Sequence, residues 1–390
     1  MIKPTIAVVF GSRSTEHDVS IITALVAIIK PLELSQKFEV VPVYIAKDGR
    51  WFSDPGLKNV VLYRSGQLET FLAKLRPLSV QFDQGLKLVQ NKGFKTRIQN
   101  IDVVFPALHG THGEDGELMG LCELADVPYV GCDVPSSVVA MDKVLAKQVA
   151  AAHGVPTAKF VAFTKTEFAA QPKTWVKQIN DDLKYPLFVK PAHLGSSIGI
   201  TRVTNKQDLA NAIEVALHYD TKALVEEAVL SLIEVTLPVM GNEELTPAYL
   251  ERPLLSTEDF FDFETKYMGN GGKQSGGGKG GKQGAQGYSQ LPAELPKALY
   301  KQAEQTGLDV YRALGCTGTA RVDMLINTKA NVVYFNEVNP LPGSLYAHNW
   351  QRKGVSNVEL VTRLVELAQE RWQAKKQLET TFSTSFLQQF

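Results

Sequence analysis

The stretch ARVDMLINTKANVVYFNEVNPLPG, residues 320–343, sets four polar side chains into two otherwise apolar, β-branched runs. The four are Arg321, Asp323, Glu337 and Asn339. The runs 320–326 and 332–338 flank a short polar connection, which predicts an antiparallel hairpin with Ile326 opposite Val332. A charge inside such a hairpin is costly unless a partner compensates it. The hairpin therefore indicates a site that holds an opposite charge or a ligand.

In this register Asp323 lies opposite Phe335, and Arg321 lies opposite Glu337. Because side chains alternate between the two faces of a strand, the four polar groups are expected to share one face. Two carboxylates beside the Asn339 amide suit a hard divalent cation such as Mg²⁺, which leaves its other positions to phosphate oxygens. An ion network around Arg321 without a metal is the alternative interpretation.

The composition limits the possible partners. The chain has 390 residues, more than one core usually organises, which predicts two or three domains. Lys plus Arg and Asp plus Glu each number 41, so the net charge gives no reason to expect a nucleic acid or an anionic membrane as partner. The three cysteines lack the spacing of a metal site. No window approaches eighteen consecutive apolar residues, so we expect no membrane span and a cytoplasmic protein.

The N-terminal part has the pattern of an open, Rossmann-like α/β domain. Residues 5–30 predict a strand, a loop and a helix, and Thr15 with Asp18 has the spacing of a helix capping box. Glu16 would lie in the first helical turn, at the carboxyl end of the first strand, where open α/β sheets bind ligands. His109, in a glycine-rich turn after a later strand, is expected near the same edge. A purely structural histidine is the alternative there.

A second informative stretch is LFVKPAHLGSSIGITRV, residues 187–203, which predicts a strand, a small-residue loop and another strand. Consecutive backbone N–H groups around Ser196 and Ser197 could hold a phosphate, whereas a purely steric role for the Gly-Ser loop is the alternative. Lys143 and Lys190 are compact charges suited to nucleotide phosphates.

Three glutamates mark an expected domain junction. Glu226 and Glu227 end a predicted strand, and Glu234 follows on the next one. Backbone groups here could pair with an adenine edge, and a carboxylate could accept hydrogen bonds from ribose hydroxyls.

The segment MGNGGKQSGGGKGGKQGAQG, residues 268–287, is half glycine and contains three lysines. Its composition predicts a mobile loop long enough to cover a site between two domains, with a passive spacer as the alternative. An RNA-binding tract is a further alternative, which the lack of arginine and aromatic residues disfavours.

Together, eight sequence blocks resemble the D-alanine:D-alanine ligase family of the ATP-grasp superfamily. They are VVFGSRSTEHDVS, FPALHGTHGEDGELMG, VPYVGCDVPSSVVAMDKVLAK, FVKPAHLGSSIGI, FFDFETKY, LPAEL, GCTGTARVDM and NEVNPLPG. The resemblance covers most of residues 5–343. It implies a three-domain ATP-grasp fold, combining α/β and α+β parts, with ATP between the central and C-terminal domains. It also implies that ATP phosphorylates one D-alanine carboxylate and that a second D-alanine attacks the acyl phosphate, which yields a peptidoglycan precursor.

The resemblance carries domain and residue assignments with it. The expected parts are an N-terminal α/β substrate domain at 1–134, a central ATP-grasp domain at 135–222, a C-terminal catalytic domain at 223–372 and a tail at 373–390. For ATP, the resemblance implies Lys143, Lys190, Ser196, Ser197, Glu226, Glu227, Ala228, Val229, Glu234 and Asn336. For two Mg²⁺ ions, with Mn²⁺ as a substitute, it implies Asp323, Glu337 and Asn339. For catalysis it implies Glu16, Ser196, Tyr267, Arg321 and Lys266, and for substrate binding Glu16, His109, Gly343, Ser344 and Leu345. A homodimer is the assembly that it implies.

Two departures from the family pattern concern the second substrate. The loop after Tyr267 is long and nearly all glycine, and Pro340 stands where the family usually has threonine. Tyr267 itself favours an amine nucleophile over a hydroxy acid. A ligase that takes D-serine, D-lactate or another amino acid second is therefore the alternative, and a non-catalytic nucleotide-binding homologue is a further one.

Overall fold

The computed structural model describes residues 3–82, 85–92, 95–254, 289–381 and 383–389. Three four-stranded sheets organise this part of the chain, which agrees with the predicted combination of α/β and α+β architecture. Lys266, Tyr267 and the Gly/Lys-rich segment 268–287 lie outside the described residues. Within the described ranges, no helix is both long and apolar enough to cross a bilayer.

The N-terminal region is a mainly parallel sheet with an additional small antiparallel sheet. Its strands are β1 (Thr5–Gly11), β2 (Glu39–Ile45), β3 (Trp51–Phe52), β4 (Ser79–Phe82), β5 (Leu86–Lys92), β6 (Lys95–Ile101) and β7 (Val103–Pro106). Its helices are α1 (His17–Ile22), α2 (Lys30–Ser35), α3 (Val60–Arg64), α4 (Leu68–Leu72), α5 (Glu117–Leu124) and α6 (Val134–Met141), with a π-helical stretch (Thr23–Ile29) and a 3₁₀ turn (Pro55–Lys58). The main sheet has the order β3-β2-β1-β7, and β1 pairs in parallel with β2 and β7. Strands β4, β5 and β6 form the second sheet.

Strand β1 is apolar on both faces because the sheet is covered on both sides. Ile6 and Phe10 pack into one core with α2, whereas Ala7 and Val9 pack into another with α5. The capping box predicted from Thr15 does not form. Helix α1 starts at His17, and the Glu16 side chain makes no cap hydrogen bond.

The central region is an antiparallel sheet flanked by helices. Its strands are β8 (Phe160–Thr164), β9 (Leu187–Pro191), β10 (Thr201–Val203) and β11 (Lys222–Glu227), and its helices are α7 (Lys143–Ala152), α8 (Lys165–Ala170), α9 (Pro172–Asp182) and α10 (Leu209–Tyr219). The order is β10-β9-β11-β8. Strand β11 pairs with both β9 and β8, so this sheet extends across the domain boundary expected at residue 222.

The C-terminal region contains the third sheet. Its strands are β12 (Leu232–Met240), β13 (Thr246–Pro247), β14 (Arg252–Pro253), β15 (Ser289–Gln290), β16 (Thr319–Asn327) and β17 (Val332–Asn339). Its helices are α11 (Lys297–Ala313), α12 (Ala347–Arg352) and α13 (Asn357–Lys376), with 3₁₀ turns at Gly343–Tyr346 and Phe386–Gln389. The sheet order is β13-β12-β16-β17, and β14 pairs with β15 outside it.

Helix α13 returns to the N-terminal sheet. Leu360 and Leu364 are buried in the same core as Ile6 of β1. The helix continues beyond residue 372, where the tail was expected to start, and Lys375 and Lys376 form ion pairs with Glu123 and Asp126. The first and last parts of the chain therefore pack as one unit.

Candidate active site

Strands β16 and β17 form the predicted hairpin, but their register differs from the prediction. Asn327, not Ile326, lies opposite Val332, because the Asn327 side chain accepts N–H bonds from Lys329 and Ala330 and closes a four-residue turn. A bulge at Asn336 then shifts the pairing once more.

After the bulge, Asp323 lies opposite Glu337 and Arg321 opposite Asn339. The four polar residues still share one face, as predicted, while Val322 and Val338 are buried on the other. The side chain of Asn336 is also turned towards this polar face, where its Oδ1 accepts a bond from Lys190.

The polar groups of the hairpin are held in a defined arrangement. Arg321 Nε donates to Asp323 Oδ1 over 2.6 Å, Arg321 Nη2 donates to Oδ2, and Asn339 Nδ2 reaches Oδ2 at 3.1 Å. Tyr346 lies beside this group, with its ring centroid 5.0 Å from Arg321 Cζ. Both carboxylates, Asp323 and Glu337, are partly buried and face cations, which is a donor set that fits a hard divalent ion.

Two lysines of the central region reach this hairpin. Lys143 is the first residue of α7, and its Nζ donates to the Leu194 carbonyl at 2.6 Å and lies 3.4 Å from Glu337 Oε2. Lys190 Nζ on β9 donates to Asn336 Oδ1 at 3.2 Å and forms an ion pair with Glu226. The predicted phosphate lysines and the predicted metal ligands thus meet in one cleft between the central and C-terminal sheets.

The Gly-Ser loop of the central region contacts the N-terminal sheet edge. Ser196 and Ser197 both have left-handed backbone angles, with φ of 53° and 60°. Ser196 Oγ donates a hydrogen bond to Glu16 Oε1. Two of the residues that the resemblance implies for catalysis, Glu16 and Ser196, are therefore in contact.

Glycine is required at position 110, where the turn after β7 meets the loop between β1 and α1. Gly110 has a φ of 68°, and a Cβ there would lie 2.9 Å from both Glu16 Oε2 and Ser14 Oγ. Glu114 is buried close by and accepts N–H bonds from Gly110 and Leu341. Burial and the charge of Glu16 raise the pKa of the Glu114 carboxyl to about 8.

His109 lies behind this edge rather than on it. Its Nε2 is 2.8 Å from Thr23 Oγ1, and Thr23 Oγ1 accepts the N–H of Ser344 at 3.0 Å. Burial lowers the pKa of His109 to about 4, so the imidazole is neutral near pH 7. His109 therefore contacts the turn at Ser344 through Thr23, and its assignment to substrate binding stays a prediction.

Three consecutive non-glycine residues form a left-handed turn after the hairpin. Ser344, Leu345 and Tyr346 have φ values of 50°, 54° and 51°. Such angles cost about 1–2 kcal/mol per residue and persist only when the surroundings impose them. The Leu345 side chain is buried in the core, so only the backbone of Leu345 could face a substrate, whereas Ser344 is exposed.

The glutamates at the end of β11 differ in their surroundings. Glu226 is buried between Lys190 and a third lysine, Lys147. Glu227 Oε1 instead accepts the N–H of Lys184 at 2.9 Å. The N–H of Ala228 donates to the Pro186 carbonyl, and Val229 follows it. Glu234 lies on β12, opposite Leu325 of the hairpin.

Sequence reasoning did not identify three residues of this region. Lys147 follows Lys143 by one helical turn, and a lysine in a helix is normally expected in solvent. The signal that could have identified Lys147 is its position beside Ala146 and Ala150 on the core-facing stripe of the helix. Thr23 sits in an apolar helix without a polar pattern around it. For Tyr346, the order of residues offered no signal.

A cleft between two antiparallel sheets, lined by lysines and acidic groups, defines this chain as an ATP-grasp protein. Family models described as the D-ala D-ala ligase N-terminus and C-terminus match residues 5–132 and 149–366. The chain therefore belongs to the D-Ala-D-Ala ligase family.

Individual relatives support the same conclusion. A D-alanine--D-alanine ligase from Caldicellulosiruptor bescii is 36% identical over 389 residues, which cover 97% of this chain and 98% of the relative. One from Chlorobium limicola is 36% identical over 396 residues, with 96% and 99% covered. Among solved structures, the VanG D-Ala:D-Ser ligase from Enterococcus faecalis has a TM-score of 0.76 at 32% identity, with 94% of this chain and 100% of that chain covered. A D-alanine-D-alanine ligase from Coxiella burnetii has a TM-score of 0.78 at 28% identity, with 96% of each chain covered.

Proposed function

We propose that this chain performs the reaction of its family, the ATP-dependent ligation of two D-alanines, in the cleft between the central and C-terminal sheets. The γ-phosphoryl group passes to the carboxylate of the first D-alanine and ADP leaves. The amine of the second D-alanine then attacks the acyl phosphate, phosphate leaves, and the new peptide bond gives D-alanyl-D-alanine. The observation that carries this proposal is the meeting of Lys143 with Glu337 and of Lys190 with Asn336 across the two sheets.

Nucleotide binding is assigned to the central side of the cleft. Lys143 and Lys190 would hold phosphates, because each has its ammonium group at the cleft and a partner it can exchange for a phosphate oxygen. The N–H groups around Ser196 and Ser197 would hold the terminal phosphate. Adenine would lie against the chain from Glu226 to Val229. The Glu234 carboxylate would accept hydrogen bonds from the ribose hydroxyls.

The hairpin would hold the divalent metal that the family uses with ATP. We propose Mg²⁺, two ions, with Mn²⁺ as a functional substitute. Asp323, Glu337 and Asn339 supply oxygen donors from neighbouring positions on one face, which suits either ion. Such ions neutralise phosphate charge during phosphoryl transfer. Asp323 would exchange its bond to Arg321 for the metal, which leaves the guanidinium available to the substrate.

The substrates would lie between the hairpin and the N-terminal sheet. Glu16, oriented by Ser196, would receive the ammonium group of the first D-alanine. Arg321 would stabilise the oxyanion formed when the amine attacks, because its guanidinium lies on the same polar face as the proposed metal ligands. The turn Gly343–Tyr346 would bind the second carboxylate. As the resemblance implies, Lys266 would reach the transferring phosphate, and Tyr267 would form a hydrogen-bonded triad with Glu16 and Ser196.

The decisive experiment measures ADP release and product mass together. Purified protein with ATP, Mg²⁺ and D-alanine should release ADP and form D-alanyl-D-alanine, and EDTA should abolish both. Mn²⁺ should restore activity after EDTA treatment. Absence of ADP release under all metal conditions would support the non-catalytic homologue instead.

A different second substrate is the one competing function that observations favour. The similar VanG protein is a D-Ala:D-Ser ligase. In this chain Tyr346 ends the proposed second-carboxylate turn and His348 follows it, with ring centroids 4.9 Å apart. Equimolar D-alanine, D-serine and D-lactate should give mainly D-alanyl-D-alanine by mass spectrometry. A dominant mixed product would reassign the second substrate.

We also propose a homodimer, which the family resemblance implies. We propose a cytoplasmic location, because the reaction consumes ATP and builds a cell-wall precursor, and no nucleic-acid or membrane partner. Light scattering after size exclusion tests the dimer, and cell fractionation tests the location.

A further inference from the structure

A lysine outside the cleft is connected to the nucleotide side by a buried charge cluster, which consists of Lys147, Glu226 and Lys190. Lys147 Nζ lies 3.0 Å from Glu226 Oε2, and Lys190 Nζ pairs with the other oxygen, Oε1. Lys147 Nζ also donates to the Phe335 carbonyl at 3.4 Å and lies 5.9 Å from the centroid of the Phe335 ring. One carboxylate therefore serves two ammonium groups.

The two lysines differ in what they can reach. Lys147 is 0% exposed and Glu226 is 1% exposed, whereas Lys190 is 8% exposed and touches Asn336 at the cleft. Helix α7 holds Lys147 behind the sheet, while β9 presents Lys190 to the space where a nucleotide would lie. Lys190 can thus change partners on ligand binding, but Lys147 is confined to Glu226.

The charges in this cluster favour an anion at Lys190. Burial opposes ionisation of Glu226, but Lys147 and Lys190 together lower the pKa of its carboxyl to about 2. Burial lowers the pKa of Lys147 in spite of the opposing effect of Glu226. Burial also opposes the charged form of Lys190, but Glu226, together with Glu337 and Glu234, raises the pKa of Lys190. The cluster of three residues thus carries one excess positive charge, which Glu337 and Glu234 partly offset on the side of Lys190.

We propose that Lys147 is a positioning residue whose permanent ion pair with Glu226 allows Lys190 to leave that carboxylate and bind nucleotide phosphate. The inference rests on the proposed nucleotide site. Without Lys147, Glu226 and Lys190 form a simple pair, and moving Lys190 to a phosphate leaves a buried carboxylate without a counter-charge. Glu226 would then take up a proton when the nucleotide binds.

The test is calorimetric titration of MgADP into the full chain and four variants. The variants are Lys147→Met, Glu226→Gln, the double variant, and Lys177→Met as a control with the same substitution at an exposed position of the central region. Lys147→Met should weaken MgADP binding at least tenfold in the wild-type background and less than threefold in the Glu226→Gln background. Lys177→Met should bind as the wild type does.

Proton exchange separates positioning from a merely structural role. In Lys147→Met, titrations in two buffers of different ionisation enthalpy should show proton uptake on MgADP binding, and affinity should rise as the pH is lowered from 8.5 to 6. The double variant should show neither effect.

The proposal would be overturned if Lys147→Met bound MgADP with wild-type affinity, or if the losses of affinity were equal in both backgrounds without proton uptake. It would also be overturned if circular dichroism showed that Lys147→Met does not fold, because Lys190 should supply the counter-charge that Glu226 needs in the nucleotide-free protein. Failure of the wild type to bind MgADP would instead refute the proposed nucleotide site.

Discussion

The hydroxyl group of Ser196 donates a hydrogen bond to the carboxylate of Glu16, a residue 180 positions earlier in the chain. The contact joins the Gly-Ser loop of the central region to the carboxyl end of the first strand. Because hydrogen bonds to charged groups contribute about 1.5–3 kcal/mol, this bond can hold the loop over a substrate.

Replacement of Ser196 by alanine should lower kcat/KM for D-alanine by about 10- to 100-fold, the equivalent of losing such a bond. Ser231→Ala is a matched control, because Ser231 also has a left-handed backbone, with φ of 50°, at an exposed turn. Steady-state ADP release measures both variants. Similar losses in the two would show that backbone strain, and not the bond to Glu16, matters.

Replacement of Asp323 by asparagine should reduce turnover by at least about two orders of magnitude, because it removes one negative charge from the proposed metal site. Mn²⁺ binding, followed by electron paramagnetic resonance in the presence of ADP, should weaken in parallel. Asp309→Asn, on the exposed side of α11, should change neither quantity. Near-normal ADP release from Asp323→Asn would exclude the metal assignment.

Arg371 should be a major contributor to stability, because it fastens helix α13 to the segment leaving the N-terminal sheet. Its guanidinium donates to the carbonyls of Gly131 at 2.6 Å and Tyr129 at 2.8 Å, and it lies 4.5 Å from the Tyr129 ring centroid. Arg371→Met should lower the free energy of unfolding by about 2–4 kcal/mol, and lysine should not restore it, since lysine lacks the planar fork.

Arg363→Met is the control for Arg371 on the same helix. Arg363 pairs with Glu370 at an exposed position, so its loss should cost below about 1 kcal/mol. Urea denaturation measures both variants. Equal midpoints would contradict the role given to Arg371.

His193 should stabilise the base of the Gly-Ser loop in a pH-dependent way. Hydrogen bonds to Asp142 and Asp220 raise the pKa of His193 to about 9. An unfolded histidine titrates near pH 6.5, so the folded state binds the extra proton between these values. The contribution is therefore fully present below about pH 6.5 and is lost as the pH rises through about 9.

The variant His193→Gln should lower the free energy of unfolding by about 1 kcal/mol at pH 6, a value reduced for the 45% exposure of the His193 side chain. The difference from wild type should disappear at pH 10. His153→Gln, at the exposed end of α7, is the control. A difference that stays constant from pH 6 to pH 10 would refute the ion-pair explanation.

The local pattern of apolar and polar residues was sufficient to predict the hairpin strands and the polar groups on one face of the hairpin. Strict alternation placed Arg321 and Asp323 on one face. These features depend on neighbours within a few residues, and periodicity in the chain reports such neighbours directly.

The order of residues alone determined that this chain forms an ATP-grasp fold of the D-Ala-D-Ala ligase family, with a polar face on its last hairpin. The tertiary structure decided the bulge at Asn336, the contact of Ser196 with Glu16, and the burial of Lys147 against Glu226. The contact of Ser196 with Glu16 and the burial of Lys147 depend on how segments far apart in sequence pack against one another, and the energy of a buried charge depends on which partner that packing supplies. The bulge depends on how the two hairpin strands pair, which the alternation of side chains alone does not fix.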